Sequence, residues 1–188
     1  MNVYDFDNTI LRGDSTARFY AYCLLHRPRM WLDLPGQLVN ALLFVLKKRP
    51  KQVFKQRMLH FLALIGDVDA TVDAFWAKNM ARVKSWYYEK CRPDDVVISA
   101  SPEFLVRLPC ERLGVACVMG SPVDKHTGVF SGPNCHGAEK VRRFREVYPD
   151  AQIEEFFSDS YSDSPLAELA QKAWLVKGDA LLPWDLDK

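Results

Sequence analysis

No part of this chain runs apolar for long. The longest such stretch, 34–46, contains Gly36, Gln37 and Asn40 and falls well short of the ~20 residues that cross a bilayer. A membrane-spanning helix is therefore not expected, only a soluble protein or one that lies on a membrane surface. An excess of one charge is missing too: 25 Lys and Arg offset 24 Asp and Glu, for a net charge of +1. That balance gives no global pull toward nucleic acid, and no nucleic-acid partner is expected. The five cysteines (Cys23, Cys91, Cys110, Cys117 and Cys135) form no CxxC pair, and His26, His60, His126 and His136 show no ligand spacing. Unpaired cysteines in odd number fit a reduced, cytoplasmic compartment. The opening residues reach Asp5 without a basic segment ahead of an apolar one, so no signal peptide is expected. Gly and Pro are ordinary at 9 and 11 residues, and with no repeat or low-complexity tract this excludes collagen, coiled-coil and disordered classes.

What is present is a globular composition of 188 residues, 48% apolar and 12% aromatic. The length suits one domain, or one domain with a modest insertion. The charge balance conceals an asymmetry. Residues 26–60 carry Arg27, Arg29, Lys47, Lys48, Arg49, Lys51, Lys55 and Arg57 against the single acid Asp33, whereas 150–188 carry nine acids against three bases.

Apolar runs at 3–6, 95–98, 114–119 and 153–157 read as buried strands, with a short fifth at 174–176; helical patterns follow them. Alternation of this kind predicts an α/β protein with a parallel sheet covered on both faces. Residues 15–85 break the alternation. Apolar residues there recur with helical spacing, and Pro28, Pro35, Pro50 and Gly66-Asp67 divide the segment into about four helices. Residues 119–132 read as a small hairpin or flap around a turn at 124–128.

Chemistry in open α/β sheets sits beyond the carboxyl ends of strands, and polar residues gather at three of these ends. The first strand runs into Asp5-Phe6-Asp7-Asn8-Thr9, the second delivers Ser99, and the one at 153–157 delivers Asp159 and Asp163. Lys140 follows the His136-Gly137 turn at a helix start. Several carboxylates brought together need cations, and Mg2+ favours hard oxygen ligands. A phosphate monoester would meet Lys140, the Ser99 hydroxyl and loop N–H groups, with one carboxylate as nucleophile and another as proton shuttle.

This ordered set, Asp5-Phe6-Asp7-Asn8-Thr9, Val96-Val97-Ile98-Ser99, Lys140 and Asp159-Ser160-Tyr161-Ser162-Asp163, resembles the four motifs of the haloacid dehalogenase (HAD) superfamily. The chain is most similar to its phosphoserine-phosphatase-like branch (subfamily IB), with a helical C1-type cap. The resemblance implies a Rossmann-like parallel sheet core (the HAD fold) formed by 1–14 and 86–188, with a helical-bundle cap, 15–85, inserted after the first motif. It further implies a Mg2+-dependent phosphatase acting through an aspartyl-phosphate. Asp5 would be the nucleophile and Asp7 the acid and base; Ser99 and Lys140 would hold the phosphoryl group. Asp5, Asp159 and the Asp7 backbone carbonyl would ligate Mg2+, with Thr9 and Asp163 in support. This sequence departs from the branch at Ser158, where Gly is frequent, and at Ala100-Ser101, where phosphoserine phosphatases resemble Gly-Gly. Asp14 falls about where those enzymes place a substrate-reading Glu, and Gly13-Asp14-Ser15 also reads as a helix cap.

The expected substrate is a small phosphorylated molecule, phosphoserine-like, or a lipid-headgroup phosphate. Two alternatives stay open: a non-hydrolytic phospho-ligand or membrane-surface binder on the same fold, and a phosphotransferase to an alcohol. The basic, apolar-rich segment within 26–60 is expected either to be a cap helix with core and solvent faces or to contact an anionic membrane peripherally.

Overall fold

The computed structural model describes residues 1–115 and 117–185. Ala116, inside the strand predicted over 114–119, and 186–188, at the end of the acidic segment, lie outside the described residues. So does the side chain of Lys51 from the basic segment.

Six strands form one sheet in the order β3-β2-β1-β4-β5-β6. They are β1 (Val3–Tyr4), β2 (Val96–Pro102), β3 (Cys117–Ser121), β4 (Ile153–Ser158), β5 (Ala170–Lys177) and β6 (Ala180–Pro183). Pairings from β3 through β5 are parallel, and β6 pairs antiparallel with β5 across a turn at Gly178. The strand expected at 174–176 is thus longer, and β6 is an addition: its Leu-Leu pair is too short and too close to β5 to show a period of its own. β1 is shorter than the apolar run at 3–6, although the Asp5 N–H still donates to the Phe157 carbonyl at 2.8 Å.

Side chains alternate between two cores, as a doubly covered parallel sheet requires. Val3, Val96, Ile98 and Phe156 point to one face, beneath α7 (Ala138–Val147) and α8 (Ser164–Ala167). Tyr4, Val97 and Phe157 point to the other. On that second face Tyr4 stacks on Phe157 at 4.8 Å, Trp86 lies against both, and Tyr87 meets Tyr4 edge-on at 5.1 Å. Trp86 and Tyr87 belong to α5 (Ser85–Lys90), which returns the chain to the sheet.

Between β1 and α5 the chain is helical: α1 (Ser15–His26), α2 (Leu34–Val45), α3 (Lys51–Leu59) and α4 (Val68–Asn79), with tight 3-10 turns at 28–32, 60–64 and 80–82. Proline and capping chemistry set these boundaries. Asp14 and Asp67 cap α1 and α4 by accepting from Ala17 and Ala70 N–H, Pro35 lies in the first turn of α2, and Pro50 precedes α3. Where the chain leaves and re-enters the sheet, the two crossing segments pair. Leu11 bridges Val83 antiparallel, Arg12 N–H donates to the Arg82 carbonyl, and Lys84 N–H donates to the Ile10 carbonyl.

A buried bond, besides the exposed pair of Arg112 with Asp73, ties α4 to α6 (Glu103–Arg112). Pro109 lies inside α6 and has no N–H for the Leu105 carbonyl one turn earlier. The fully buried Trp76 indole N–H donates to that carbonyl at 2.7 Å. The helix defect thereby becomes a joint between the helical segment and the sheet-covering layer. We expect Trp76→Phe to keep most of the apolar contact but leave a buried carbonyl unpaired, lowering stability by about 1–3 kcal/mol. A shift in the urea midpoint measures it.

Candidate active site

β1 pairs with β2 on one side and β4 on the other, so the loops leaving β1, β2 and β4 converge where connections diverge to the two sides. Such a switch point opens a crevice at the carboxyl end of an α/β sheet. Here it is a cavity of roughly 200 Å3, at the small end for ligand sites. Asp5, Asp7, Ser99, Lys140, Asp159 and Asp163 all line it.

At its centre is a buried ammonium. Lys140 Nζ lies 2.7 Å from Asp5 Oδ1 and 2.7 Å from Asp163 Oδ2, and all three residues are buried. Lys140 reaches them from the first turn of α7, which opens at Gly137 with φ of 60°. Burial disfavours its charged form, but the two carboxylates more than reverse this and hold its pKa above the ordinary lysine value. The Asp5 carboxyl is pushed up by burial, against the pull of Lys140. Thr9 Oγ1 donates to Asp5 Oδ2 at 3.3 Å. Asp163 is fixed further by the Ser158 hydroxyl at 2.8 Å, and Ser158 Oγ also accepts from Ser160 N–H. Ser158 therefore holds a carboxylate, a task that Gly could not perform.

Asp7 sits on the other side of the loop. Its Oδ1 accepts from Ser15 N–H at 2.7 Å, at the start of α1, and its Oδ2 accepts from the Ser101 hydroxyl. Burial, and next the charge of Asp14, raise its pKa to about 6, while the bonds from Ser101 and Ser15 pull it down. Thr16 and Ser15 hydroxyls lie 2.9 and 3.2 Å from Ser101 Oγ, so a chain of hydroxyls holds the carboxylate. The loop turns back at Asn8, whose φ is 56°; Asn tolerates this left-handed backbone better than most residues. Lys84 Nζ donates to the Asn8 carbonyl and, at 2.6 Å, to the Gly178 carbonyl, clamping the turn from below.

Asp159 follows β4 and is only partly buried; burial, then Asp163, raises its pKa. Its carbonyl accepts from Lys177 Nζ at 3.0 Å. Ser99 Oγ accepts from Ser101 N–H at 3.1 Å. Among the described residues no three His, Cys, Asp or Glu side chains form a metal cage. The oxygen donors at hand (two carboxylates and loop carbonyls) fit a hard cation that keeps several waters, as Mg2+ does.

Six of the residues named from the sequence thus line one cavity; the seventh, Thr9, is buried behind it and reaches it only through Asp5. Asp14 is both the cap of α1 and a cavity wall. Ser101 was recognisable only in part: it stands two residues from Ser99 on extended chain, hence on the same side. Lys84 belongs to no motif, and no local signal marks it.

The cavity is roofed by Lys55, Met58 and Leu59 of α3 and by Phe130 of the flap. The expected hairpin exists as an antiparallel bridge between Val123 and Phe130, with Gly128 N–H donating to the Asp124 carbonyl at 2.8 Å. Gln56 latches it to α3. Its side-chain amide donates to the Gly128 carbonyl at 2.9 Å and accepts from Phe130 N–H at 3.1 Å. Gly128 has φ of 74°, and a Cβ there would lie 2.1 Å from the Leu59 carbonyl oxygen.

A six-strand, mainly parallel sheet with an aspartate loop after β1 and a lysine behind it defines a class, and the chain belongs to it: the model of the haloacid dehalogenase-like hydrolase family matches residues 3–168. Its sequence is 25% identical over 185 residues to Protein CicA of Caulobacter vibrioides, covering 90% of this chain and 82% of that protein. A protein of unknown function from Bordetella pertussis Tohama I shares the fold, with a TM-score of 0.75, 17% identity, and coverage of 93% and 88% of the two chains. A phosphoserine phosphohydrolase-like protein from Francisella tularensis does so with a TM-score of 0.59, 16% identity, and coverage of 93% and 87%.

Two stability outcomes follow. Lys140→Met strands two buried carboxylates without their shared cation, and in EDTA it is expected to cost about 3–5 kcal/mol by urea unfolding. Gly128→Ala, forced against Leu59, should free the flap and speed amide exchange across 123–130 relative to the sheet.

Proposed function

We propose that the protein is a Mg2+-dependent phosphomonoesterase that works through an aspartyl-phosphate on Asp5, and that its substrate is a small or headgroup-sized phosphate ester. The observation that carries this reading is the single buried ammonium shared by Asp5 and Asp163, with Asp7 held separately by Ser15 and Ser101. Asp5, against the Lys140 ammonium, and Asp7, held by a backbone N–H and a hydroxyl, have different partners, which suits a nucleophile and a proton shuttle.

In the first step an Asp5 carboxylate oxygen bonds to phosphorus while the bond from phosphorus to the ester oxygen breaks. Asp7 gives its proton to that departing oxygen, and a pKa raised to about 6 suits a group that must hold and release a proton near neutrality. Asp7 then takes a proton from water as the water oxygen attacks phosphorus, and inorganic phosphate leaves Asp5. Lys140 and the Ser99 hydroxyl would bind phosphoryl oxygens, and Lys140 would also offset the Asp5 charge. Mg2+, bound by the Asp5 and Asp159 carboxylates and the Asp7 carbonyl, would supply the remaining charge neutralisation. The roof formed by α3 and the flap would exclude bulk water during attack. Support comes from membership of a hydrolase family, and from a fold shared with a phosphoserine phosphohydrolase-like protein.

Release of p-nitrophenol from p-nitrophenyl phosphate tests the reading. Turnover is expected with Mg2+, is abolished by EDTA, and falls to background in Asp5→Asn. Asp7→Asn should lower kcat by about 10²- to 10⁴-fold, and Asp159→Ala should raise the Mg2+ concentration needed. Full activity in Asp5→Asn would overturn the reading. A folded protein that turns over neither this ester nor phosphoserine nor lysophosphatidate would point instead to a phospho-ligand binder.

A further inference from the structure

Helix α2 is inside out. Its polar side chains face protein: Asn40 is buried and donates to the Phe54 carbonyl at 3.1 Å, and Gln37 donates to Asp33 Oδ2 at 2.6 Å and the Arg57 carbonyl at 3.0 Å. Arg49 donates to Asn40 in turn, and Phe44 stacks on Phe54 at 4.4 Å, completing a hairpin of α2 and α3. The opposite face carries Leu38, Val39, Leu42 and Val45, spaced as a helical stripe. It faces solvent: Leu38 is 63%, Leu42 57% and Val45 74% exposed. Trp31 and Leu32, in the turn before α2, are exposed as well, at 60% and 81%.

Charge indicates what covers it. From Leu34 to Gly66 there are six bases and no acid. Lys47 and Lys48 are exposed at one end of the stripe and Arg29 at the other, while the neighbouring acid, Asp33, is buried and faces Gln37 and Arg57. A two-fold contact with a second copy would set this acid-free surface against itself. At 12 residues α2 is about 18 Å long by its rise of 1.5 Å per residue, against a hydrocarbon core of about 30 Å. Among the described residues no helix is long and apolar enough to cross a membrane. An apolar stripe of this length closed by cations suits an interfacial helix.

We propose that the outer face of α2, with Trp31 and Leu32, docks on an anionic lipid surface, its apolar side chains at the acyl boundary and Arg29, Lys47 and Lys48 on headgroups. The inner partner of α2 is α3, which lends Lys55, Met58 and Leu59 to the cavity roof. Docking therefore brings the cavity within one helical layer of the bilayer. The proposal does not require hydrolysis, so its failure and that of the phosphatase reading are distinguishable.

The test uses the full chain with vesicles of phosphatidylcholine alone and of phosphatidylcholine with phosphatidylglycerol. Sedimentation should show binding to the anionic vesicles that weakens as salt rises, and a blue shift in tryptophan emission that is absent in Trp31→Phe. Lys47→Ala and Lys48→Ala should each weaken binding about fivefold. The double variant Leu38→Asp/Leu42→Asp should abolish binding while its melting temperature and turnover of p-nitrophenyl phosphate stay unchanged, since both positions are exposed. Equal binding by that variant, or equal binding to pure phosphatidylcholine, would overturn the proposal. So would a dimer in solution that the same variant dissolves, with no vesicle binding by the parent, because α2 would then be a self-association surface.

Discussion

Burying three charges side by side is costly, since each ion sheds water worth several kcal/mol, and only good geometry recovers that loss. Lys140, Asp5 and Asp163 meet the condition because three separate elements deliver them to one point: the end of β1, the first turn of α7 and the turn after β4. Their approach depends on β1 lying between β2 and β4, in register from Val3↔Phe156 through Tyr4↔Phe157. A one-residue slip would swap Val3 and Tyr4 between the two cores and carry Asp5 away from Lys140. The sheet order and the ion cluster are thus one constraint seen twice.

The helical segment depends on this core through polar joints placed where ordinary backbone bonding fails. Pro109 leaves the Leu105 carbonyl without its helical partner, and Trp76 supplies one. The Asn8 turn and the β5–β6 turn both leave carbonyls to the buried Lys84 ammonium. The flap edge, which among the described residues has no neighbouring strand, finds a substitute in the Gln56 amide. The two Gln56 bonds that hold the flap to α3 are worth about 1 kcal/mol apiece. That is a scale at which local opening can admit and release a ligand.

The cavity end of the sheet is legible from sequence because its signals are local: an apolar run, then a polar residue where the backbone leaves the sheet. Asp5, Asp7, Ser99, Asp159 and Asp163 all carry that mark, and Lys140 stands at a helix start after the His136-Gly137 turn. The fold class followed from the same alternation. What escaped depends on partners distant in sequence. Trp76 and Pro109 are separated by a strand, and neither implies the other. Lys84 looks like any lysine until the carbonyls of Asn8 and Gly178 surround it, and β6 is defined by its pairing with β5. In the sequence Ser158 is only a departure from a frequent Gly; its hydroxyl holds Asp163.

Helix α2 shows how a periodic pattern can mislead about direction. Leu38, Leu42 and Val45 form the stripe that ordinarily marks a core face, yet the core lies on the side of Gln37 and Asn40. The reason is energetic. A buried Asn or Gln must find partners, and the Phe54 and Arg57 carbonyls provide them; no equivalent partner waits on the outer side. In water the hairpin is held by these bonds, by the Phe44–Phe54 stack and by the short loop, while four large aliphatic side chains gain nothing. Burying a Leu or Val is worth roughly 1.5–3 kcal/mol, so a surface that covered the stripe would stabilise the hairpin by more than its internal bonds do. The arrangement is unfavourable for a helix that always faces water and favourable for one that has an apolar surface to meet.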